Sequence, residues 1–391
     1  MSLVSIVTCK SYQRNELHES LAETFSLLGG LENIIKRGSS ILVKINHLSP
    51  PSQPERAIIT HPAFTRAVLS FLKDLGCQVT VGDDIQSKDR DGFLISKYRQ
   101  VCGEMGVRLV NFKELGFRRI PCQGDVLKEV LVSPLVLETD YLLNLPKLKT
   151  HALTVFTGAV KNLFGVIPYG LRLTHHSRYS DQDSFARMLV DIFSCAKPSL
   201  SIMDAVVAME GEGPSGGNPR KAGLILASRD AVALDSIACR LIGISPFQVN
   251  TTVFAHQRGL GEINHDKILV TGGKIEDLIV KGFKPSRAVN LTRKKLPQTL
   301  YAFIQDQLHL IPEIIPSRCT ACLECLNVCP CQAISLQNEK AVVNKNLCLH
   351  CLCCHEVCRY QAVELKQRIF GRLVRMFSDL RERVFSKDRH H

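Results

Sequence analysis

Cys319-Thr-Ala-Cys322-Leu-Glu-Cys325-Leu-Asn-Val-Cys329-Pro330 and Cys348-Leu-His-Cys351-Leu-Cys-Cys354-His-Glu-Val-Cys358 are two copies of one spacing, C-x2-C-x2-C-x3-C. The copies stand 29 residues apart, so Cys319 maps to Cys348 and Cys329 to Cys358. Of the 16 cysteines, 10 fall within this stretch. Three thiolates at x2 spacing on one short loop can grip three irons of a cubane, and the fourth cysteine, at the start of the next helix, is aimed at the other cluster. The spacing therefore assigns Cys319, Cys322, Cys325 and Cys358 to one 4Fe–4S cluster, cluster I. It assigns Cys348, Cys351, Cys354 and Cys329 to a second, cluster II. A zinc ribbon would call for two separated C-x2-C pairs, not triplets with a trailing ligand. The duplication runs past the ligands, matching Gln332-Ala-Ile-Ser-Leu336 to Gln361-Ala-Val-Glu-Leu365. Each half is expected to give a ligand loop, a short helix and a strand, an α+β unit with a pseudo-two-fold repeat. About 50 residues bury little core, so ligation is expected to supply most of its stability.

Two departures from strict repetition stand out. Cys329 is followed by Pro330 but Cys358 by Arg359, which adds positive charge near cluster I and is expected to raise its potential. Cys331 and Cys353 fit neither register and read as bystanders or spare ligands.

Outward from this stretch, 391 residues leave room for two or three domains and a sizeable core. Composition is that of a globular protein, with 45% hydrophobic and 22% charged residues. No run of roughly 18 apolar residues appears, so no membrane-spanning helix is expected. The N-terminus, Met1 to Lys10, lacks a basic n-region and a long apolar stretch and reads as a first strand, not a signal peptide. Many cysteines without a secretion signal point to a reducing compartment and metal-bound thiolates, hence the cytoplasm. The formal charge of +12 treats thiols as neutral. Two oxidised clusters, each with four thiolates carrying roughly −2, would leave about +8. Such a chain suits an acidic redox partner, an anionic substrate or a membrane surface. Nucleic acid is not expected, since no recognition motif is present.

Residues 1–285 alternate strand-like and helix-like segments, which argues for an α/β domain with a mostly parallel sheet. Expected strands include Leu3–Thr8, Ile41–Ile45, Gln78–Val81, Val107–Val110, Glu129–Ser133, Tyr141–Asn144, Leu200–Ala208 and Leu224–Ala227. Expected helices include Glu16–Ile35, Pro62–Leu75, Asp91–Glu104, Ala152–Leu163, Phe185–Cys195 and Ala231–Leu241. Asp230 is placed as an N-cap of the last of these.

Ligands of open α/β sheets bind beyond the carboxyl ends of strands. Polar residues follow several apolar strands here, notably Lys44-Ile-Asn46-His47, Asp83-Asp84 and Asn144-Leu-Pro-Lys147-Leu-Lys149-Thr-His151. Lys147, Lys149, His151 and Lys161 are candidate groups for holding an anion and moving protons, with Lys44, Asn46, Asn144 and Asn162 as further substrate contacts. Glu210 opens a Gly-rich loop running to Pro219, too acidic to cradle phosphate, which reads as a lid, a plain turn, or the source of a metal or proton-transfer group. His175-His176 lack further ligands at metal spacing. Cys9, Cys77, Cys195 and Cys239 read as core.

Residues 286–312 read as a basic linker and docking helix, 313–367 as the cluster domain and 368–391 as a basic amphipathic tail helix. The tail stripe Ile369, Phe370, Leu373, Val374, Phe377, Leu380, Val384 suits the protein's own surface, a partner or an anionic membrane.

Residues 1–285 resemble the domain-of-unknown-function family 362, often found fused to a ferredoxin domain. The resemblance is carried by Lys44-Ile-Asn46, Thr60-His61-Pro62, Asn144 to His151, Gly158-Ala-Val-Lys161-Asn162-Leu-Phe-Gly165, Asp204 to Pro214 and Ala227 to Asp235. Residues 313–367 resemble bacterial two-cluster ferredoxins, which shuttle single electrons at low potential. The second resemblance implies iron–sulfur binding and electron transfer, and the first leaves activity open. Three functions are then expected in competition. One is an iron–sulfur oxidoreductase with a small anionic substrate. Another is a ferredoxin-type carrier whose α/β domain only recognises a partner. The third is a scaffold docked to a membrane complex through the tail. No nicotinamide or flavin fingerprint is visible.

Overall fold

A computed structural model describes residues 1–48, 51–86, 91–288, 307–368 and, singly, 304, 370 and 371. Its central sheet runs in the order β12 (Ile268–Thr271), β1 (Ser2–Thr8), β11 (Asn218–Ser228), β10 (Leu200–Glu210), β7 (Tyr141–Leu145), β2 (Ser40–Ile45), β3 (Gln78–Asp83) and β4 (Arg108–Asn111). β8 (Lys147–His151) also lies along β10 and pairs on its other side with β9 (Val155–Thr157). Six of the nine pairings in this sheet are parallel, as alternation of strands and helices demands. A hairpin of β5 (Arg118–Pro121) and β6 (Glu129–Val132) stands apart.

Both faces of the sheet are covered. In β2 the pleat sends Ile41, Val43 and Ile45 into one core and Leu42 into the other. The first core packs α1 (Arg14–Leu27), α2 (Pro62–Asp74), α3 (Gly92–Ile95) and α4 (Tyr98–Met105). The second packs α5 (Leu135–Glu138), α6 (Ala159–Asn162), α8 (Gln182–Cys195), α9 (Ala231–Leu241), α10 (Asn250–Gln257) and α11 (Ile275–Leu278), with α7 (Tyr169–Arg178) against its edge. Each fully buried aliphatic contributes about 1.5–3 kcal/mol. Asp230 caps α9 as expected, accepting from Val232 N and Ala233 N at 2.9 and 3.0 Å.

Several expectations need correction. Lys147–His151, read only as polar residues following a strand, forms a strand of its own, because Pro146 interrupts the ladder and lets the chain resume along β10. The helix expected over Ala152–Leu163 is β9 followed by the one-turn α6. The helix over Glu16–Ile35 stops at Leu27, before Gly29 and Gly30 at φ 89° and 94°. Lys97, at φ 64°, splits Asp91–Glu104 into two helices. His175 and His176 lie within α7. Of the cysteines read as core, Cys9 and Cys239 are buried while Cys77 and Cys195 are half-buried.

The cysteine-rich segment pairs β13 (Leu310–Ile314) with β16 (Val363–Gln367), and β14 (Ile334–Gln337) with β15 (Lys340–Val343), both antiparallel. Short helices α12 (Glu324–Asn327) and α13 (Cys353–Val357) precede β14 and β16. The 29-residue repeat is visible in the backbone. Left-handed residues recur as Ala321 and His350 (φ 54° and 55°), Leu323 and Leu352 (63° and 63°), and Gln332 and Gln361 (52° and 51°). This segment shares a core with the α/β sheet, since Leu310, Leu352 and Leu365 belong to the second apolar cluster. Most of the linker and docking helix expected over 286–312, and nearly all of the tail helix over 368–391, lie outside the described residues.

Candidate functional site

The parallel strands deliver their carboxyl ends to one place. Register sets Lys44 of β2 beside Gly82 of β3 and Asn144 of β7. Lys44 Nζ meets Asp83 Oδ2 at 2.8 Å and Ile45 O at 2.7 Å. The turn after α6 closes over this pair at Gly165, where a Cβ would stand 2.7 Å from Lys44 Nζ. Asp235 of α9 accepts from Ala159 N and Val160 N at 2.6 and 3.0 Å, and so fixes the turn that carries Lys161 and Asn162.

Above these strand ends lies a cavity, and its roof is α13 of the cysteine-rich segment. It is lined by Lys44, Asn46, His47, Lys149, His151, Thr157, Lys161, Asn162, Arg172 and His176 from the α/β unit. Cys353, Glu356 and Val357 line it from α13. It encloses ≈ 80 Å³ open to the centres of water-sized molecules. One ordered water needs only about 10–15 Å³. Seven lining residues each carry a buried polar atom without a hydrogen-bond partner: Asn46 Oδ1, His47 Nδ1, His151 Nε2, Thr157 Oγ1, Arg172 Nε, His176 Nδ1 and Glu356 Oε1. Buried polar groups in folded proteins are nearly always paired, so a concentration of orphans in one cavity marks a place where water or a ligand completes the bonding.

The cations divide into two kinds. Lys44 and Arg172 are matched by Asp83 and Asp84, at 2.8 and 3.1 Å. Lys149 Nζ donates to a neutral carbonyl, Ile58 O, at 2.7 Å. Lys161 Nζ lies over the rings of Phe164 and Phe185, 5.5 and 5.8 Å from their centroids. Burial, with the charge of Lys161 adding to it, lowers the Lys149 pKa to about 7. Burial also lowers Lys161 and raises Glu356. It holds His47 and His176 neutral, at about 3 each, and His151 well below its ordinary value. His151 Nε2 and Glu356 Oε1 face each other at 3.4 Å, and neither makes a hydrogen bond.

The structure thus brings Lys44, Asn46, Lys149, His151, Lys161 and Asn162 together around the cavity. Asn144 lies beneath it, accepting from Asn162 Nδ2 at 2.7 Å, while Asn162 accepts from Asn46 Nδ2 at 2.8 Å. Lys147 is placed elsewhere, bound to Asp204 Oδ2 and Tyr12 Oη at 2.8 Å each. Glu210 ends β10 and accepts from Lys284 N at 3.0 Å. The Gly-rich loop after it is a seat for α13. His355 Nε2 contacts Glu212 O at 3.0 Å, and Ser215 Oγ donates to His355 O at 3.2 Å. Sequence reasoning missed Arg172, Thr157 and Glu356, and passed over His176. The signals available were a buried-looking His pair and an acid lodged between two cysteines of the repeat.

The cysteines form two adjoining groups. Cys319, Cys322, Cys325 and Cys358 line one apolar pocket with Ile314, Leu326 and Val363. Burial raises Cys325 to about 11, with the charges of Cys322, Cys358 and Cys319 adding to it. Burial raises Cys354 well above its ordinary value, with Cys351, Cys348, Cys325 and Cys329 contributing. Backbone donors repeat between the halves, since Ala333 N and Ala362 N reach Cys329 Sγ and Cys358 Sγ, each at 3.2 Å. Among the described residues no three His, Cys, Asp or Glu side chains converge as a cage for a single ion. A tetrahedral ion would draw thiolates to about 3.8 Å from one another. A cubane binds each thiolate through a different iron and spreads them more widely. Cys353, surplus to the ligand register, faces the cavity. Cys331 Sγ lies 3.8 Å from Cys329 Sγ.

Known proteins bear on this arrangement. The family model described as a domain of unknown function, DUF362, matches residues 41–240. A thylakoid-associated protein of Synechocystis sp. is 32% identical over 319 residues, covering 78% of this chain and 97% of that protein. Among solved structures, the lactate racemase apoprotein of Thermoanaerobacterium thermosaccharolyticum aligns at 12% identity with a TM-score of 0.38, over 59% of this chain and 55% of that one. A Thermotoga maritima protein aligns at 15% identity and TM-score 0.35, over 64% and 60%. At such TM-scores neither likeness bears on function. No helix among the described residues is long and apolar enough to cross a membrane.

Proposed function

The chain belongs to the DUF362 family, and we propose that it is an iron–sulfur oxidoreductase whose C-terminal unit is a two-cluster, ferredoxin-like domain. In this reading Cys319, Cys322, Cys325 and Cys358 hold cluster I, and Cys348, Cys351, Cys354 and Cys329 hold cluster II. The donor set fits such groups. Two thiol quartets sit on loops of matching left-handed backbone, and the first quartet rings an apolar pocket. When bound, each cluster accepts and releases one electron.

The observation that carries the enzymatic reading is the shared wall. α13 bears the cluster II ligand Cys354 and also gives Cys353, Glu356 and Val357 to the orphan-lined cavity. A small anion held there by Lys149 and Lys161 would lie beside cluster II, with cluster I beyond it toward a redox partner. Lys149, lowered to about 7 by burial, can give or take a proton at neutral pH. The alternative, a plain electron carrier, leaves unexplained why seven unpartnered polar atoms line one cavity. A peripheral membrane location in a reducing compartment is consistent with the thylakoid-associated relative and the basic tail.

Anaerobic purification with iron and sulfide analysis tests the reading. About eight irons per chain are expected, falling by about half in Cys354→Ala. A wild-type value well below eight would overturn it.

A further inference from the structure

The charge inventory of the cavity is specific enough to name a ligand class. Lys44 and Arg172 are offset by Asp83 and Asp84. Lys149 and Lys161 also line the cavity, and neither meets a carboxylate at ion-pair distance among the described residues. Apolar walls stand beside this polar end, formed by Leu48, Phe164, Leu173 and Val357. An inorganic oxyanion would leave those walls without a partner.

We propose that the cavity binds a small organic monocarboxylate, its carboxylate between Lys149 and Lys161 and its apolar part against Leu48, Phe164, Leu173 and Val357. The acceptors and donors orphaned in the walls, among them Thr157 Oγ1, His151 Nε2 and Asn46 Oδ1, are then free for a carbonyl or hydroxyl on the ligand. Burial, with the charges of Lys161 and Lys147 adding to it, lowers Lys149 to about 7, so near pH 8 its neutral form predominates without a ligand. A bound carboxylate restores the proton. The inference rests on the proposed function only in setting the ligand beside cluster II; the two lysines and the apolar walls belong to the cavity itself.

The test is calorimetric titration of the anaerobically purified full-length holoprotein with propionate, inorganic phosphate and n-propylamine at pH 8, in two buffers of different ionisation heat. Propionate is expected to bind one per chain with a Kd below about 1 mM and to take up close to one proton. Phosphate and n-propylamine are expected to bind at least tenfold more weakly. Lys161→Met should weaken propionate at least tenfold, with Lys161→Arg restoring it. Lys149→Arg, whose guanidinium stays charged at pH 8, should abolish the proton uptake. Phosphate binding tighter than propionate, or no propionate binding at 10 mM by the wild type, overturns the proposal, and this series decides even where a variant fails to fold. Iron analysis of the same sample separates the two readings. Clusters present without propionate binding defeats the carboxylate site alone; propionate binding without clusters defeats the iron–sulfur reading alone.

Discussion

Lys44 and Lys147 each meet a carboxylate at 2.8 Å, and Lys149 and Lys161 do not. That difference separates charge-paired lysines from lysines open to a ligand in a cluster whose members look alike in sequence. Removing one partner of a buried pair strands the other's charge, at a cost of about 3–5 kcal/mol. Lys147→Met should therefore lower the thermal midpoint markedly, yet leave propionate affinity within twofold in calorimetry; a tenfold loss would put Lys147 back in the site. Lys149 behaves oppositely with pH. Its folded pKa of about 7 lies below the unfolded value of 10.5, so between these pH values the unfolded chain binds more protons. Stability then rises with pH across that window, by on the order of 4 kcal/mol for this group, and the contribution is lost as pH falls toward 7. In urea unfolding from pH 7 to 10, Lys149→Met should flatten this rise and be the more stable protein at pH 7. A slope unchanged by the substitution would show that Lys149 is an ordinary, charged lysine.

At the scale of elements, the parallel strands and their flanking helices were legible because Ile41–Ile45, Tyr141–Leu145 and Leu200–Ala208 are apolar on both faces, as strands buried on both sides must be. β8 was not legible. Lys147, Lys149 and His151 alternate with Leu148 and Thr150, and all five are buried, so polarity gave the false impression of a surfacing chain. Its real signature, a strand resumed after Pro146, depends on β10 being long enough to serve two neighbours in turn. The Gly-rich loop was equally opaque, because its glycines answer to a helix 140 residues later in the chain. A Cβ at Gly216 would overlap the His355 ring, which is held at both ends by Val363 O and Glu212 O, at 2.9 and 3.0 Å, and cannot swing away. Overpacking of this kind costs about 1–3 kcal/mol. Gly216→Ala is expected to shift α13, lower the melting temperature and weaken propionate at least tenfold, while iron content stays at the wild-type level. Normal affinity in that variant would mean that α13 is not the cavity's roof.

At the scale of the molecule, two signals that were separate in the sequence turn out to share one boundary. The cysteine repeat and the lysine-rich strand ends could each be read alone, the first from spacing and the second from polar residues after apolar runs. Nothing in a one-dimensional reading sets Cys353 and Glu356 against Lys149 and His151, about 200 residues away, because that contact is decided by packing of Leu310, Leu352 and Leu365 on the α/β core. The consequence is polarity across the C-terminal unit. α13, which carries Cys354 of the quartet assigned to cluster II, borders the cavity, whereas the quartet assigned to cluster I lines a separate pocket, with Cys322 exposed. A ligand in the cavity should therefore perturb one cluster and not the other. In the dithionite-reduced protein, electron paramagnetic resonance with and without saturating propionate should show a shifted signal for one 4Fe–4S centre only. Cys351→Ser should remove the shifted signal, and Cys322→Ser should remove the unshifted one while leaving propionate affinity within a few-fold of wild type. If propionate shifts the signal that Cys322→Ser removes, the order of the two clusters along the path from partner to cavity is reversed, and the electron route proposed from the shared wall of α13 cannot stand.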